Sequence, residues 1–406
     1  PLARSGATPN LAGISDVVAT LDAARAAGRA LEDEGFVGLR DHLEAQERVV
    51  DWLRGRQGEL PACADLGRGM PDLAPLRKRI EACLDEQGVV LDEASPLLAR
   101  IRREMGDLTK KIDGAVRALV AKSAVKAALA DPNPRRRGGR IVLSVRTGNA
   151  GKVPGIVHDR SNTGETLFIE PREIVLPGNR LAELSSEERR EIERILLELT
   201  RAALAERARI EAACSRLARL ELALVAASFA AETGGRVPLL PGDPGATRGL
   251  LLRSARHPLL LEELRQGRLR EVVPIDLRLS GDFDVLVITG PNTGGKTLAL
   301  KTAGIAALLV RCGMPFPCAE GSTIPLYDGI VADIGDEQEI RQSLSTFSSH
   351  LSRVRDGIAR ATEKTLVLLD ELGAGTDPDE GAALSEAVLE LFLERGSPTL
   401  ATTHIG

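Results

Sequence analysis

The residues with the plainest chemical purpose form one run, Gly290-Pro291-Asn292-Thr293-Gly294-Gly295-Lys296-Thr297. It follows directly on the apolar segment Asp284-Val285-Leu286-Val287-Ile288-Thr289 and opens the helical pattern from Thr297 to Val310. Strand, Gly-rich loop and helix in that order make a phosphate cradle. The glycines let backbone N–H groups turn toward phosphates, and the helix N-terminus adds its positive dipole. Lys296 is placed to reach the β- and γ-phosphates of a nucleoside triphosphate, and the Thr297 hydroxyl to hold Mg²⁺. A second apolar run, Thr365-Leu366-Val367-Leu368-Leu369, ends in the adjacent acids Asp370 and Glu371. Asp370 is expected beside the Mg²⁺, bound to it directly or through a water, and Glu371 is expected to face the attacking water as general base or water positioner. A third run, Thr399-Leu400-Ala401-Thr402, leads through Thr403 to His404, expected to contact the γ-phosphate or hold the water. His42, His158 and His257 have no comparable setting.

The elements that must position these groups are strands alternating with helices, the pattern of a parallel-sheet α/β domain. Ahead of them the chain is of another kind. From about Ile14 to Ala130, apolar residues recur at three and four, as in Leu97-Leu98-Ile101-Met105-Leu108-Ile112-Val116-Leu119-Val120. Pro71 and Pro96 are expected in the first turns of new helices, the second of them running from about Ala94 to Ala130. Asp131-Pro132-Asn133-Pro134 should break that helix, and a compact basic turn with Arg135, Arg136, Arg137 and Arg140 should follow. The period then changes to two over Ile141–Val145, Val153–Val157 and Thr166–Ile169, which predicts short strands. After Pro177-Gly178 a second long helix is expected from about Asn179 to Ala231.

The expected fold is therefore α/β plus all-α, a phosphate-loop domain carried with long helical lever or coiled-coil arms and a small β tip. The expected divisions are a helical core and lever over 1–134, a β tip over 135–178, a returning lever helix over 179–233, a linker over 234–249, and the α/β domain over 250–406.

Net charge is −5, so any attraction for nucleic acid must come from local basic patches. No apolar stretch approaches the length of a membrane span, so no membrane partner is expected. The five cysteines form no C-x-x-C pair, which favours reduced thiols in a cytoplasm over a disulfide framework or a zinc site. Aromatic residues make up only 2% of the chain and leave few stacking platforms for single strands. The start at Pro1 and the stop after His404-Ile405-Gly406 suggest trimmed ends.

Thr289 to Thr297, Ser345-Thr346-Phe347, Asp370-Glu371-Leu372-Gly373-Ala374-Gly375-Thr376, Glu380-Gly381 and Thr403-His404 together resemble the MutS family of DNA-repair ATPases. Gly373 to Pro378, and Gly155-Ile156-Val157-His158-Asp159 followed by Thr166 to Pro171, look like its MutS-two, recombination-suppressing branch. The resemblance implies an ATPase of ABC type using ATP and Mg²⁺, working as a homodimer with composite sites. Ser345 and Thr346, at a helix start, would face the γ-phosphate bound by the partner subunit, a place that also suits ordinary helix capping. It implies a clamp on branched double-stranded DNA in the cytoplasm, or alternatively an ATPase acting on stalled ribosomes and their rRNA. That branch normally continues to a nuclease-like domain, which is not expected within this chain. Mismatch sensors carry a Phe-x-Glu motif ahead of the levers. Phe168-Ile169-Glu170 spells it mid-chain, and this is taken as coincidence. Arg135, Arg136, Arg137 and Arg140 are the expected phosphate contacts. A chromosome-maintenance type of coiled-coil ATPase would need far longer arms, and a transporter subunit would carry a Leu-Ser-Gly-Gly-Gln segment.

Overall fold

The structure, a computed structural model, describes residues 8–279, 282–290, 295–335, 343–374 and 376–404, with the side chains at 62, 64 and 343–349 outside the description. The chain divides into two compact units, Pro9–Leu220 and a second with Glu221–Gly406 as its body. Each is a mixture of elements set by its own core.

The first unit opens with α1 (Val17–Ala27), α2 (Asp33–Arg54), α3 (Pro61–Arg68) and α4 (Ala74–Glu81). On α2, the apolar Phe36, Leu39, Leu43, Val49 and Leu53, with Gln46 between Leu43 and Val49, recur at three and four and are buried. Each such side chain contributes about 1.5–3 kcal/mol on burial. Pro71 opens no helix. Its carbonyl accepts the Gln46 side-chain amide at 2.7 Å, and α4 starts three residues later with Pro75 in its first turn.

Helix α5 (Pro96–Val120) does begin on a first-turn proline, with the Ser95 hydroxyl accepting the Leu98 N–H at 3.0 Å. It ends ten residues short of the expected Ala130, because Lys122 is extended and the single turn α6 (Ser123–Lys126) leads straight into a strand. Antiparallel to α5 runs α7 (Arg172–Ala205). Ser95 bonds Glu191 at 2.6 Å, Arg102 bonds Glu188 at 2.8 Å, and Arg180 bonds Glu104 at 2.9 Å. Leu98 belongs to the helical core and Ile112, Val116 and Leu119 to the core under the sheet, so α5 joins two cores across a charged middle.

Helix α7 starts before Pro177, seven residues ahead of the expected start at Asn179. The proline lies in the second turn and forfeits only one backbone hydrogen bond. A Cβ on Gly178 would sit 3.1 Å from Glu170 Oε1 and 3.2 Å from the Arg140 guanidinium, so glycine lets that ion pair pack close against the helix. The expected single helix to Ala231 is two, parted at Glu206, after which α8 (Arg207–Thr233) begins.

Between α6 and α7 lies an antiparallel sheet of order β1-β2-β4-β3: β1 (Leu129–Arg137), β2 (Arg140–Arg146), β3 (Gly155–Arg160) and β4 (Thr166–Pro171). Strand β1 replaces the expected break and basic turn. It tolerates Pro132 and Pro134 because it is an edge strand with register shifts. The turn itself is only Gly138-Gly139, with φ of +55° and +77°, the left-handed pair that a tight hairpin requires.

In the second unit, the stretch expected as a linker is tied down. Arg236 pairs with Phe316 in both directions at 2.9 and 2.8 Å, and Leu239 N–H donates to Ser322 at 2.9 Å. Two antiparallel strands, β5 (Leu250–Ala255) and β6 (Ile275–Leu279), follow on either side of α9 (Pro258–Arg265). The main sheet is parallel, with order β7-β10-β9-β8: β7 (Val285–Thr289), β8 (Gly329–Asp333), β9 (Thr365–Leu369) and β10 (Thr399–Thr403). Residue alternation divides its faces. Leu366, Leu368 and Leu400 meet α10 (Lys296–Arg311), where a Cβ on Gly304 would sit 2.8 Å from Leu368. Val367, Leu369 and Ala401 meet α11 (Ser343–Arg360) and α12 (Pro378–Glu394). With the central strands β9 and β10 buried between these helices, the chemistry they can offer lies at their ends.

Candidate functional site

Because the four strands are parallel, Gly290, Asp333, Asp370 and His404 all emerge at the same, carboxyl, edge of the sheet. The loop after β7 starts at Gly290 (φ +138°) and ends at Gly295 (φ +80°), the left-handed cap of α10. Both conformations suit glycine. Pro291, Asn292, Thr293 and Gly294 lie outside the described residues.

Lys296, first residue of α10, is 6% exposed. Its ammonium donates to the Gly290 carbonyl and to His404 Nδ1 at 3.3 Å. An ammonium has no acceptor, so Nδ1 accepts and the imidazole proton sits on Nε2. That nitrogen faces Glu371 Oε1 at 3.5 Å. Lysine, histidine and glutamate thus form one polar line across β7, β10 and β9. Thr297 is half-buried in the first turn of α10.

The acid pair is held by a residue that the sequence reading passed over. The Thr402 hydroxyl, fully buried, donates to Asp370 Oδ1 and accepts the Glu371 N–H at 2.8 Å. Glu371 sits at φ +49°, a left-handed backbone costing a non-glycine residue about 1–2 kcal/mol. Three hydrogen bonds hold it there: the one to Thr402, Leu372 N–H to the Thr402 carbonyl at 2.8 Å, and Ala374 N–H to the Glu371 carbonyl at 3.0 Å. The turn beyond is fixed by glycine. A Cβ on Gly373 would lie 2.7 Å from the Gly381 carbonyl, and one on Gly381 2.4 Å from that of Gly373.

Strand β8 also went unread, and with it Asp333. This buried carboxylate meets His350 Nδ1 at 2.8 Å and Arg353 Nε at 3.2 Å, both on α11, while its carbonyl accepts the Asp370 N–H at 2.8 Å. The available signal was Ile330-Val331-Ala332-Asp333, a short apolar run ending in an acid, like Leu369-Asp370. Ser345 and Thr346 fall on the first turn of α11, but their side chains lie outside the described residues.

The four arginines do not share a loop. Arg135, Arg136 and Arg137 lie along β1, and Arg140 begins β2. Arg135 pairs with Asp131 at 2.8 Å, Arg137 with Asp159, and Arg140 with the buried Glu170 at 3.3 Å. Phe168 is buried under the Arg137 guanidinium, 3.9 Å from its ring centre, and Glu170 also holds His158 Nε2 at 2.6 Å.

Among the described residues no group of three or more His, Cys, Asp or Glu could hold a metal alone. A hydroxyl and a carboxylate, Thr297 and Asp370, suit Mg²⁺, which completes its shell with phosphate oxygens and water. An ammonium, a hydroxyl, two carboxylates and an imidazole around one loop can bind a polyphosphate with a divalent cation and direct a water at it.

Residues 286–406 match the family described as MutS domain V. The chain is 41% identical to Endonuclease MutS2 of Pelotomaculum thermopropionicum over 379 residues, 93% of the chain and 47% of that relative. It is 43% identical to Endonuclease MutS2 of Thermomicrobium roseum over 385 residues, 91% of the chain and 46% of that relative. The Symbiobacterium thermophilum protein of the same name is 40% identical over 97% of the chain and 48% of its own length. The chain belongs to the MutS family, on its MutS2 branch. It spans about half the length of the curated relatives it matches.

Proposed function

We propose that this chain is the phosphate-loop (ABC-type) ATPase and lever part of a homodimeric clamp on branched double-stranded DNA, serving to suppress recombination. The observation that carries the reading is the line from Lys296 through His404 to Glu371, with Asp370 adjoining, at one edge of a parallel sheet. In that arrangement Lys296 and the loop Gly290–Thr297 bind the phosphates of ATP. Thr297 and Asp370 hold Mg²⁺, which supplies charge against the developing negative charge on the phosphates. Glu371 takes the proton of the attacking water, and His404 orients the carboxylate through Nε2. Ser345 and Thr346 complete the partner subunit's site. The antiparallel α5 and α7 are the lever, with the small β sheet at their end.

Thr402 is a positioning residue here. Thr402→Val leaves a buried N–H and a carboxylate each short of a partner, so stability drops by about 1–3 kcal/mol. We expect kcat for ATP to fall about tenfold with little change in KM, and Thr402→Ser, which keeps the hydroxyl, to restore most of it. A Thr402→Val enzyme with wild-type kcat would show that the hydroxyl does not set the acid pair.

The described cysteines are free thiols, and burial raises the pKa of Cys83, Cys214 and Cys318, which keeps them protonated and unreactive. That suits a cytoplasmic place. No described helix is long and apolar enough to cross a membrane. The nuclease activity in the relatives' name is assigned to none of these residues.

The test is the affinity of the protein for a four-way DNA junction, a linear duplex and ribosomes, each with and without a non-hydrolysable ATP analogue. Tighter junction binding with the analogue supports the DNA clamp. Nucleotide-dependent preference for ribosomes would replace it with a role on rRNA, and equal binding to all three would remove the clamp altogether.

A further inference from the structure

The arginines of the β1–β2 hairpin differ in what they have left to offer a ligand. Arg135, Arg137 and Arg140 are each held by an acid of the same sheet, so much of their charge is spent internally. Arg136 is exposed and makes no ion pair among the described residues. Alternation along β1 turns it to the face opposite Arg135 and Arg137. There it lines a cleft of about 490 Å³ between the hairpin and helices α5 and α7. Helix α7 contributes Arg189 to the same cleft, with the hydroxyls of Ser185 and Ser186 beside it. Arg189 is likewise exposed and has no acid partner within ion-pair distance; its Nε donates only to the Ser185 carbonyl at 3.4 Å. Of the acids near it on the helix, Glu183 and Glu187 are held by Arg180, Glu188 by Arg102 and Glu191 by Arg194, while Glu193, one turn on, makes no ion pair with it. The cleft's one carboxylate, Glu170, is already shared by Arg140 and His158.

Two uncommitted guanidinium groups and two hydroxyls around one concavity fit a tetrahedral oxyanion, which guanidinium binds in bidentate fashion. We propose that this cleft seats a backbone phosphate of nucleic acid, with Arg136 and Arg189 as its two clamps. The inference rests on the nucleic-acid reading above and moves the contact from the arginine run as a whole to one cleft at the junction of sheet and helices. The phosphodiester is common to DNA and RNA, so both belong in the test.

Binding of a DNA duplex and of a structured RNA is measured by anisotropy across a salt series, for the wild-type protein, Arg136→Glu, Arg189→Glu, Arg136→Lys, and Arg25→Glu on α1 as a control for the charge change. Losing one phosphate contact should weaken binding about tenfold near 0.1 M salt and make the salt dependence shallower by about one ion. Both glutamate variants should show this, Arg136→Lys should stay near wild type, and the control should not change. Thermal unfolding of each variant checks that the hairpin is intact. Loss with DNA alone, RNA alone, or both identifies the source of the phosphate. If the wild type binds nucleic acid and both cleft variants bind equally well, the cleft is not the seat, while the clamp reading survives. If the wild type binds neither DNA nor RNA with or without nucleotide, both fall.

Discussion

Lys296→Ala is expected to abolish measurable ATP binding and to lower hydrolysis by at least about a hundredfold. The ammonium is fixed between the Gly290 carbonyl and His404 Nδ1. Each charge-assisted hydrogen bond to a phosphate contributes about 1.5–3 kcal/mol, so losing two removes about 3–6 kcal/mol, a factor of a hundred or more. Alanine keeps the helix, since it is the best helix former and follows the left-handed Gly295 cap without strain. The loss should therefore appear in nucleotide titration while circular dichroism and the unfolding midpoint stay close to wild type. Near-normal ATP affinity in a folded Lys296→Ala protein would remove the loop from the site.

Glu371→Gln should do the reverse, keeping ATP while stopping its turnover. The amide has the shape of the carboxylate and its oxygen can still accept from His404 Nε2–H, so the polar line persists. What it cannot do is take a proton. General-base catalysis contributes about a hundred- to ten-thousandfold, and kcat should fall within that range. Nucleotide affinity should stay within a few-fold of wild type, and ATP should co-purify with the protein or exchange slowly. The strained backbone at φ +49° is held by groups of Thr402 and Ala374, none of which the substitution touches. Normal turnover by Glu371→Gln would show that another group activates the water.

The strands β7, β9 and β10 could be read from the sequence because each is a short run of strand-forming residues ending in a glycine, an acid pair or a histidine, although β7, at the sheet edge, is less buried than β9 and β10. The partners that make those ends work were harder to see. Thr402 reads as an ordinary strand former until the sheet register puts its hydroxyl against Asp370. Asp333 closes a run too short to stand out between Pro317 and the helix that follows. Pro132 and Pro134 read as helix breakers, and Pro177 as lying just ahead of a helix. An edge strand with register shifts accommodates the first two, and an early helical position accommodates the third. The basic run was visible as charge, but Asp159 and Glu170, which neutralise two of its members, lie 22 and 30 residues away and meet them only through strand pairing. Local propensity carries no information about such pairs, so sequence alone gave the four arginines equal weight.

If each ATP site is built from two subunits, mixing differently damaged subunits will restore it. Lys296→Ala and a Ser345→Ala, Thr346→Ala double variant are each expected to be inactive alone, the first lacking the phosphate lysine and the second the hydroxyls proposed to complete the partner's site. In a mixed two-fold dimer one of the two sites regains both parts, so random pairing should restore about a quarter of wild-type hydrolysis. Recovery of that order, falling again as a Glu371→Gln subunit is titrated in, is the predicted result; a mixture as inactive as its components would place the whole site within one subunit and contradict the account.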